Sequence, residues 1–219
     1  MAEKKETAKK AQPQNTMLKD AMMLFVITIV AGLLLGAVYT ITKEPIAVAE
    51  EQTTNEAYAM VYKGAEFETD EEFEKTVEDF AAQVTAGKLD DETYSYTDDK
   101  LIEAKKAMVD GAQAGYVVKV SGKGYGGAVV IALGITVDGE IIGMNILDNS
   151  NETPGLGQNC SKESWNKQYI GAKAADGIVD LSQPKGNGNV DAISGATITS
   201  RAVTRAVNVA LKFVSAQAE

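Results

Sequence analysis

Apolar positions change rhythm along this chain, and each change predicts a different element. Residues 21–41 are 21 consecutive positions without a charge. As a helix rising about 1.5 Å per residue they would span roughly 31 Å, the thickness of a bilayer's hydrocarbon. Ala47-Val48-Ala49 ahead of Glu50 offers a signal-peptide alternative, but cleavable apolar cores run about 7–15 residues. A retained transmembrane helix over 17–42 is therefore predicted. Residues 44–62 continue in a helical pattern, with Pro45 near their start. Phe73, Val77, Phe80 and Val84 then recur at helical spacing within an acidic stretch, predicting an amphipathic helix with a solvated acidic face. Leu101 to Val109 predicts a further short helix. From Gly115 the pattern turns strand-like: 116–120, 126–136 and 141–147 read as strands, and Asp138-Gly139 between two apolar runs predicts a hairpin. A last helical pattern places Val203, Val207, Ala210 and Val214 on one face and Arg201, Arg205, Asn208 and Lys212 on another. The order predicts an α+β fold: one N-terminal transmembrane helix, then a domain with an antiparallel sheet and flanking helices. The expected divisions are a disordered tail 1–16, the span 17–42, a helical acidic part 43–109 and a β-rich domain 110–219.

Charge sharpens this picture. The formal net charge is −10 over 219 residues. Residues 1–20 hold five lysines against Glu3, Glu6 and Asp20, which leaves 16 basic against 28 acidic residues in the remainder, a net −12. Lysines ahead of an apolar span stay on the cytoplasmic side, so the C-terminal bulk is expected outside the cell membrane. An acidic domain argues against a nucleic-acid partner. There is no histidine and one cysteine, Cys160. Histidine-based metal sites and bases, intrachain disulfides and cysteine-held clusters are thereby excluded, and no catalytic side chain or metal is expected. A cofactor is the better carrier of any chemistry. In the span, Thr28, Gly32, Gly36 and Thr40 recur every four residues, the spacing that lets another membrane helix approach; glycine is also simply frequent in such helices.

Candidate chemistry concentrates in three segments. Asp191-Ala192-Ile193-Ser194-Gly195-Ala196-Thr197-Ile198-Thr199-Ser200 runs into the last helix. Ser194 or Thr197 capping that helix is one reading; an anion site at the positive end of the helix is the other. Glu152-Thr153-Pro154-Gly155-Leu156-Gly157 is ordinary turn chemistry taken alone. The bend Gly122-Lys123-Gly124-Tyr125-Gly126-Gly127 lacks the Gly-Lys-Ser/Thr ending of a phosphate loop and reads as a glycine-rich turn between strands. The acidic stretch 66–99 carries no calcium-loop pattern. Residues 182–190 read as a loop leading to Asp191.

Asp191-x-x-Ser194-Gly195-Ala196-Thr197 resembles the flavinylation signature of the FMN-binding domain family, and the six-residue 152–157 loop resembles that family's ETPGLG segment. Trp165-Asn166-Lys167-Gln168-Tyr169 is similar to its W-x-x-Q-aromatic segment, with Trp165 expected in the core. With the anchor, the likeness extends over most of the chain to the G subunits of Rnf ion-translocating electron-transport complexes, relatives of the C subunit of the sodium-pumping NADH:quinone reductase, Nqr. The shortness of the chain favours Rnf. The resemblance implies FMN bound covalently, its phosphate esterified to the Thr197 hydroxyl by a separate flavin transferase that uses FAD and reads Asp191. It implies cofactor contacts at Ser194, Gly195, Ala196, Thr199, Glu152, Thr153, Gly155, Leu156, Gly157 and Tyr125. Arg201 and Arg205 are within reach of the phosphate in principle. The implied activity is electron transfer within a translocase coupling ferredoxin and NAD to Na⁺ or H⁺ movement, with other membrane subunits as partners through the Thr28–Gly32–Gly36–Thr40 face. The alternatives are an Nqr-type subunit, a stand-alone flavinylated carrier, and a tethered ectodomain that binds a ligand or partner without redox work.

Overall fold

The computed structural model describes residues 16–176, 179–182 and 190–218. The tail expected over 1–16 and the loop expected over 182–190 lie almost wholly outside the described residues. The chain forms two compact units, 1–51 and 52–219.

Helix α1 (Thr16–Val61) contains the uncharged stretch and passes through Pro45. By length and composition it is able to cross a membrane, with a mean hydropathy of 2.6 in its most apolar window and none of that window buried. The hydroxyls of Thr28 and Thr40 donate to carbonyls of their own helix, Thr28 to Leu24 and Phe25 and Thr40 to Gly36. A hydroxyl satisfied this way needs no water. Among the described residues, a Cβ built at Gly32 or Gly36 meets nothing within 4 Å.

The second unit is built on an antiparallel sheet in the order β1-β2-β3-β4-β5: β1 (Glu66–Glu68), β2 (Lys100–Val109), β3 (Ala112–Lys123), β4 (Ala128–Thr136) and β5 (Ile141–Asp148). Helix α2 (Glu71–Thr85) lies between β1 and β2. Asp70 caps it by accepting from the Phe73 amide at 2.8 Å, and it buries Phe73, Val77, Phe80 and Val84 as the spacing predicts. The hairpin at Asp138-Gly139 forms, with Gly139 at φ +78°. A short α3 (Glu163–Asn166), a parallel pair β6 (Leu181–Ser182) and β7 (Val190–Asp191), and α4 (Thr197–Ala216) complete the described elements.

The short helix expected at 101–109 is strand β2 instead. Leu101, Ala104 and Ala107 are buried at a three-residue spacing that imitates a helix. A register shift against β3 between Leu101 and Glu103 puts Leu101 and Ala104 on one face despite their odd spacing, and Ala107, at a regular odd spacing from Ala104, falls on the other. Leu101 and Ala104 face the main core with α2 and α4, while Ala107 packs on the other face with Ala57, Tyr58 and Val61. The strand turns into β3 through Asp110 (φ 51°) and Gly111 (φ 77°), a pair of positive φ values that suits a tight hairpin.

Helix α4 sets the geometry of the site. Its apolar face fills the main core with Val203, Ala206, Val207, Ala210, Phe213 and Val214, and Phe213 meets Phe73, Phe80 and Tyr116 at ring distances of 5.3–6.3 Å. It approaches β3 so closely at Gly122 that a Cβ there would lie 2.1 Å from the Ala202 carbonyl oxygen. The second face of α4 is not the solvated one its composition suggests. Arg205 pairs with the fully buried Asp99 at 2.8 Å and donates to the Lys123 carbonyl. Lys212 pairs with Asp91 at 3.1 Å, and Asn208 is buried against the backbone of Val179.

Candidate functional site

Three loops converge where α4 begins. The glycine-rich bend joins β3 to β4, closed by the Gly124 amide donating to the Gly127 carbonyl at 2.8 Å, and it carries an exposed Tyr125. The 152–157 loop follows β5. Its turns are held by the amides of Glu152, on the Asn149 carbonyl, and Leu156, on the Thr153 carbonyl, with Gly155 at φ +76°. The third is the connection from β7 to α4. Here the Ala196 amide donates to the Ile193 carbonyl, and the Ser200 hydroxyl accepts from the Ile193 amide at 2.9 Å while donating to the Ala196 carbonyl.

Together these loops wall a cavity of about 550 Å³, lined by Tyr125, Glu152, Thr153, Leu156, Gly157, Gly195, Ala196, Thr197, Ile198 and Thr199. That volume falls within the range of small-molecule sites, about 300–1,000 Å³. The expected site residues therefore gather at one place, apart from Gly155 and Ser194, which lie in the loops but outside the wall, and Asp191, whose exposed side chain stands in β7. Ile198 is a wall residue that the sequence pattern does not single out. It is exposed, and with Tyr125 and Leu156 it gives the cavity an apolar margin.

The helix start differs from the capping expectation. Neither Ser194 nor Thr197 caps α4; the N-cap position belongs to Ala196, and no side chain caps it. The first-turn amides of α4 thus keep their donor capacity toward the cavity, at the positive end of the helix. Arg205 is unavailable to a phosphate because Asp99 and the Lys123 carbonyl hold it, and Arg201 lies outside the wall. Burial pushes the Asp99 carboxyl up from its ordinary value, and the guanidinium pulls it back.

The four hydroxyls of the motif have distinct fates. Thr199 is buried and donates to Glu152. Ser200 is buried and occupied on both sides. Ser194 is exposed at the loop and stands outside the cavity wall. Thr197 is exposed, lines the cavity, and has no hydrogen-bond partner among the described residues. Asp191 is gripped through its backbone: the Trp165 indole N–H donates to its carbonyl at 2.7 Å, and the Gln168 side-chain oxygen accepts from its amide at 2.9 Å. Trp165 is buried as expected. Its spacing to Gln168 matters because both side chains hold one residue. Burial, with a smaller addition from the charge of Glu152, raises the Cys160 thiol and keeps it an unreactive core group.

An α+β domain with such a cavity at a helix start belongs to a recognisable class: residues 124–212 match the model of the FMN-binding domain, and residues 6–61 match that of the RnfG N-terminal region. The G subunit of the proton-translocating ferredoxin:NAD(+) oxidoreductase complex of Clostridium ljungdahlii is 31% identical over 206 residues, covering 94% of this chain and 96% of that protein. The G subunit of the Na(+)-translocating complex of Acetobacterium woodii is 34% identical over 212 residues, with 94% and 96% covered. NqrC of Shewanella oneidensis, a solved structure, is 26% identical and covers 52% of this chain and 57% of that one with a TM-score of 0.42. The chain belongs to the family of G subunits of ion-translocating oxidoreductase complexes.

Proposed function

We propose that this protein is the flavin-carrying electron-transfer subunit of a membrane-bound, ion-translocating ferredoxin:NAD oxidoreductase, and that FMN is joined to it by a phosphoester at the Thr197 hydroxyl. The observation that carries the attachment is the selectivity among hydroxyls: in the motif, Thr197 alone is exposed, in the cavity wall and unengaged among the described residues. Family membership supports the complex and the match to the FMN-binding domain supports the cofactor.

The residues present suit FMN. The uncapped start of α4 offers amide donors for a phosphate, and Gly195 and Ala196 leave the neighbourhood of the ester small. Leu156, Ile198 and Tyr125 supply apolar contact for a flat ring, and Glu152, Thr153 and Gly157 line the remaining wall. When bound, the isoalloxazine supplies reversible electron uptake and release, while the protein sets its position and environment. Covalent attachment keeps the group on the protein on the outer side of the membrane, where the lysines ahead of α1 place the domain. Asp191 presents its carboxylate to a flavin transferase, and Trp165 and Gln168 fix the backbone that carries it. Helix α1 anchors the chain and offers its Thr28, Gly32, Gly36 and Thr40 face to neighbouring membrane subunits. The two relatives are named for different ions, so the likeness does not choose between Na⁺ and H⁺.

The test is a denaturing gel viewed under ultraviolet light, on protein made with the transferase. A fluorescent band is expected from the wild type and from Ser194→Ala, and none from Thr197→Ala. A dark wild-type band would point instead to a tethered ectodomain without covalent flavin. Fluorescence retained in Thr197→Ala would move the attachment elsewhere.

A further inference from the structure

Among the described residues, Glu152 is the one charged side chain in the cavity wall, and it is only 2% exposed. Its Oε1 accepts from the Gly126 amide at 2.9 Å and its Oε2 from the Thr199 hydroxyl at 2.5 Å. Both donors are neutral, and among the described residues no lysine or arginine lines the cavity. The chain makes room for this carboxylate: a Cβ at Gly124 would lie 2.3 Å from Oε1, and one at Gly157 would lie 2.2 Å from Oε2. A carboxylate buried without a cation is a costly thing to keep. Its field is also screened far less by solvent than that of a surface charge.

We infer that Glu152 lowers the reduction potential of the flavin held in this cavity. The inference rests on the FMN reading above. Adding an electron without a proton puts one negative charge on the ring, and the charge of Glu152 opposes it across the cavity. The oxidised, uncharged ring is thereby favoured. Glu152 also positions the site, since it ties the glycine-rich bend and the first turn of α4 to the 152–157 loop. Glutamine at this position keeps the size and can still accept from Gly126, but removes the charge, so it separates the two roles.

The experiment is a potentiometric titration of the full-length, flavinylated protein in detergent, with dithionite as reductant, at one fixed pH. The covalent band is scored on a gel in parallel. The wild-type potential is expected below that of free FMN in the same buffer, and Glu152→Gln is expected to shift it upward with the covalent band intact. A Glu152→Gln protein with intact flavin and the wild-type potential overturns the inference and leaves the Thr197 attachment standing. A wild type without covalent flavin overturns the attachment itself. If Glu152→Gln does not fold, the wild type decides: a potential at or above that of free FMN overturns the inference.

Discussion

Two helices of this protein carry stripes of small or polar residues at the same four-residue spacing, and the stripes do opposite things. In α1 the stripe is Thr28, Gly32, Gly36 and Thr40. Its hydroxyls return to carbonyls of their own helix, and among the described residues nothing lies within 4 Å of a Cβ built at its glycines. In α4 the stripe is Ser200, Thr204 and Asn208, all buried, and each reads a different segment. Ser200 accepts from the Ile193 amide, Thr204 meets the Tyr169 hydroxyl at 2.9 Å, and Asn208 bonds both the amide and the carbonyl of Val179. Ser200 and Thr204 also donate to carbonyls four residues back, as the α1 hydroxyls do, so what separates the cases is the second partner that each α4 group finds in another segment. The α4 stripe fastens the segments that bring Thr197 to the cavity. The α1 stripe is the face proposed above for another membrane helix.

The comparison is broken most severely at Asn208. Asn208→Ala leaves the amide and carbonyl of Val179 unpaired in the core, a loss of about 2–5 kcal/mol that chemical denaturation of the flavinylated protein would measure. An unchanged midpoint would mean that the α4 stripe fastens nothing. Thr204→Val removes the partner of one buried tyrosine hydroxyl and is expected to lower stability by about 1–3 kcal/mol in the same assay. Changing Gly32 and Gly36 together to leucine sits at the other extreme. It should leave unfolding of the domain within about 0.5 kcal/mol of wild type, while recovery of the other membrane subunits with a tagged copy of the chain falls. Full recovery would remove the case for the α1 stripe as a subunit contact.

Legibility in the sequence follows the same division. The α2 face and the Asp138-Gly139 hairpin are readable because short-range signals, periodicity and turn chemistry, determine them; the residues around the cavity are readable only through the resemblance of two compact motifs to a known family. Strand β2 is not. Its lysines, alanines and glutamate suit a helix, and its two register shifts exist only in relation to β3. A corrective signal is present all the same, since Asp110-Gly111 is the same dipeptide that marks the later hairpin. Arg205 looks free for a phosphate because its partner, Asp99, is distant in sequence. Ile198 is hidden as the apolar residue between two threonines that look more informative. The role of Gln168 depends on β7 passing beside it. For Arg205 and Gln168 the deciding contact joins segments separated in the chain, and for β2 it lies in the pairing with its neighbour β3; a single-segment pattern contains neither.

The claim that α4 delivers one particular hydroxyl to the cavity is tested most directly by mass. The intact protein, made with the flavin transferase and then digested, should show the mass of one FMN less one water, carried by the peptide that contains Thr197 and localised to that residue. An unmodified Thr197 peptide, or the same increment on Ser194 or Thr199, would contradict the account.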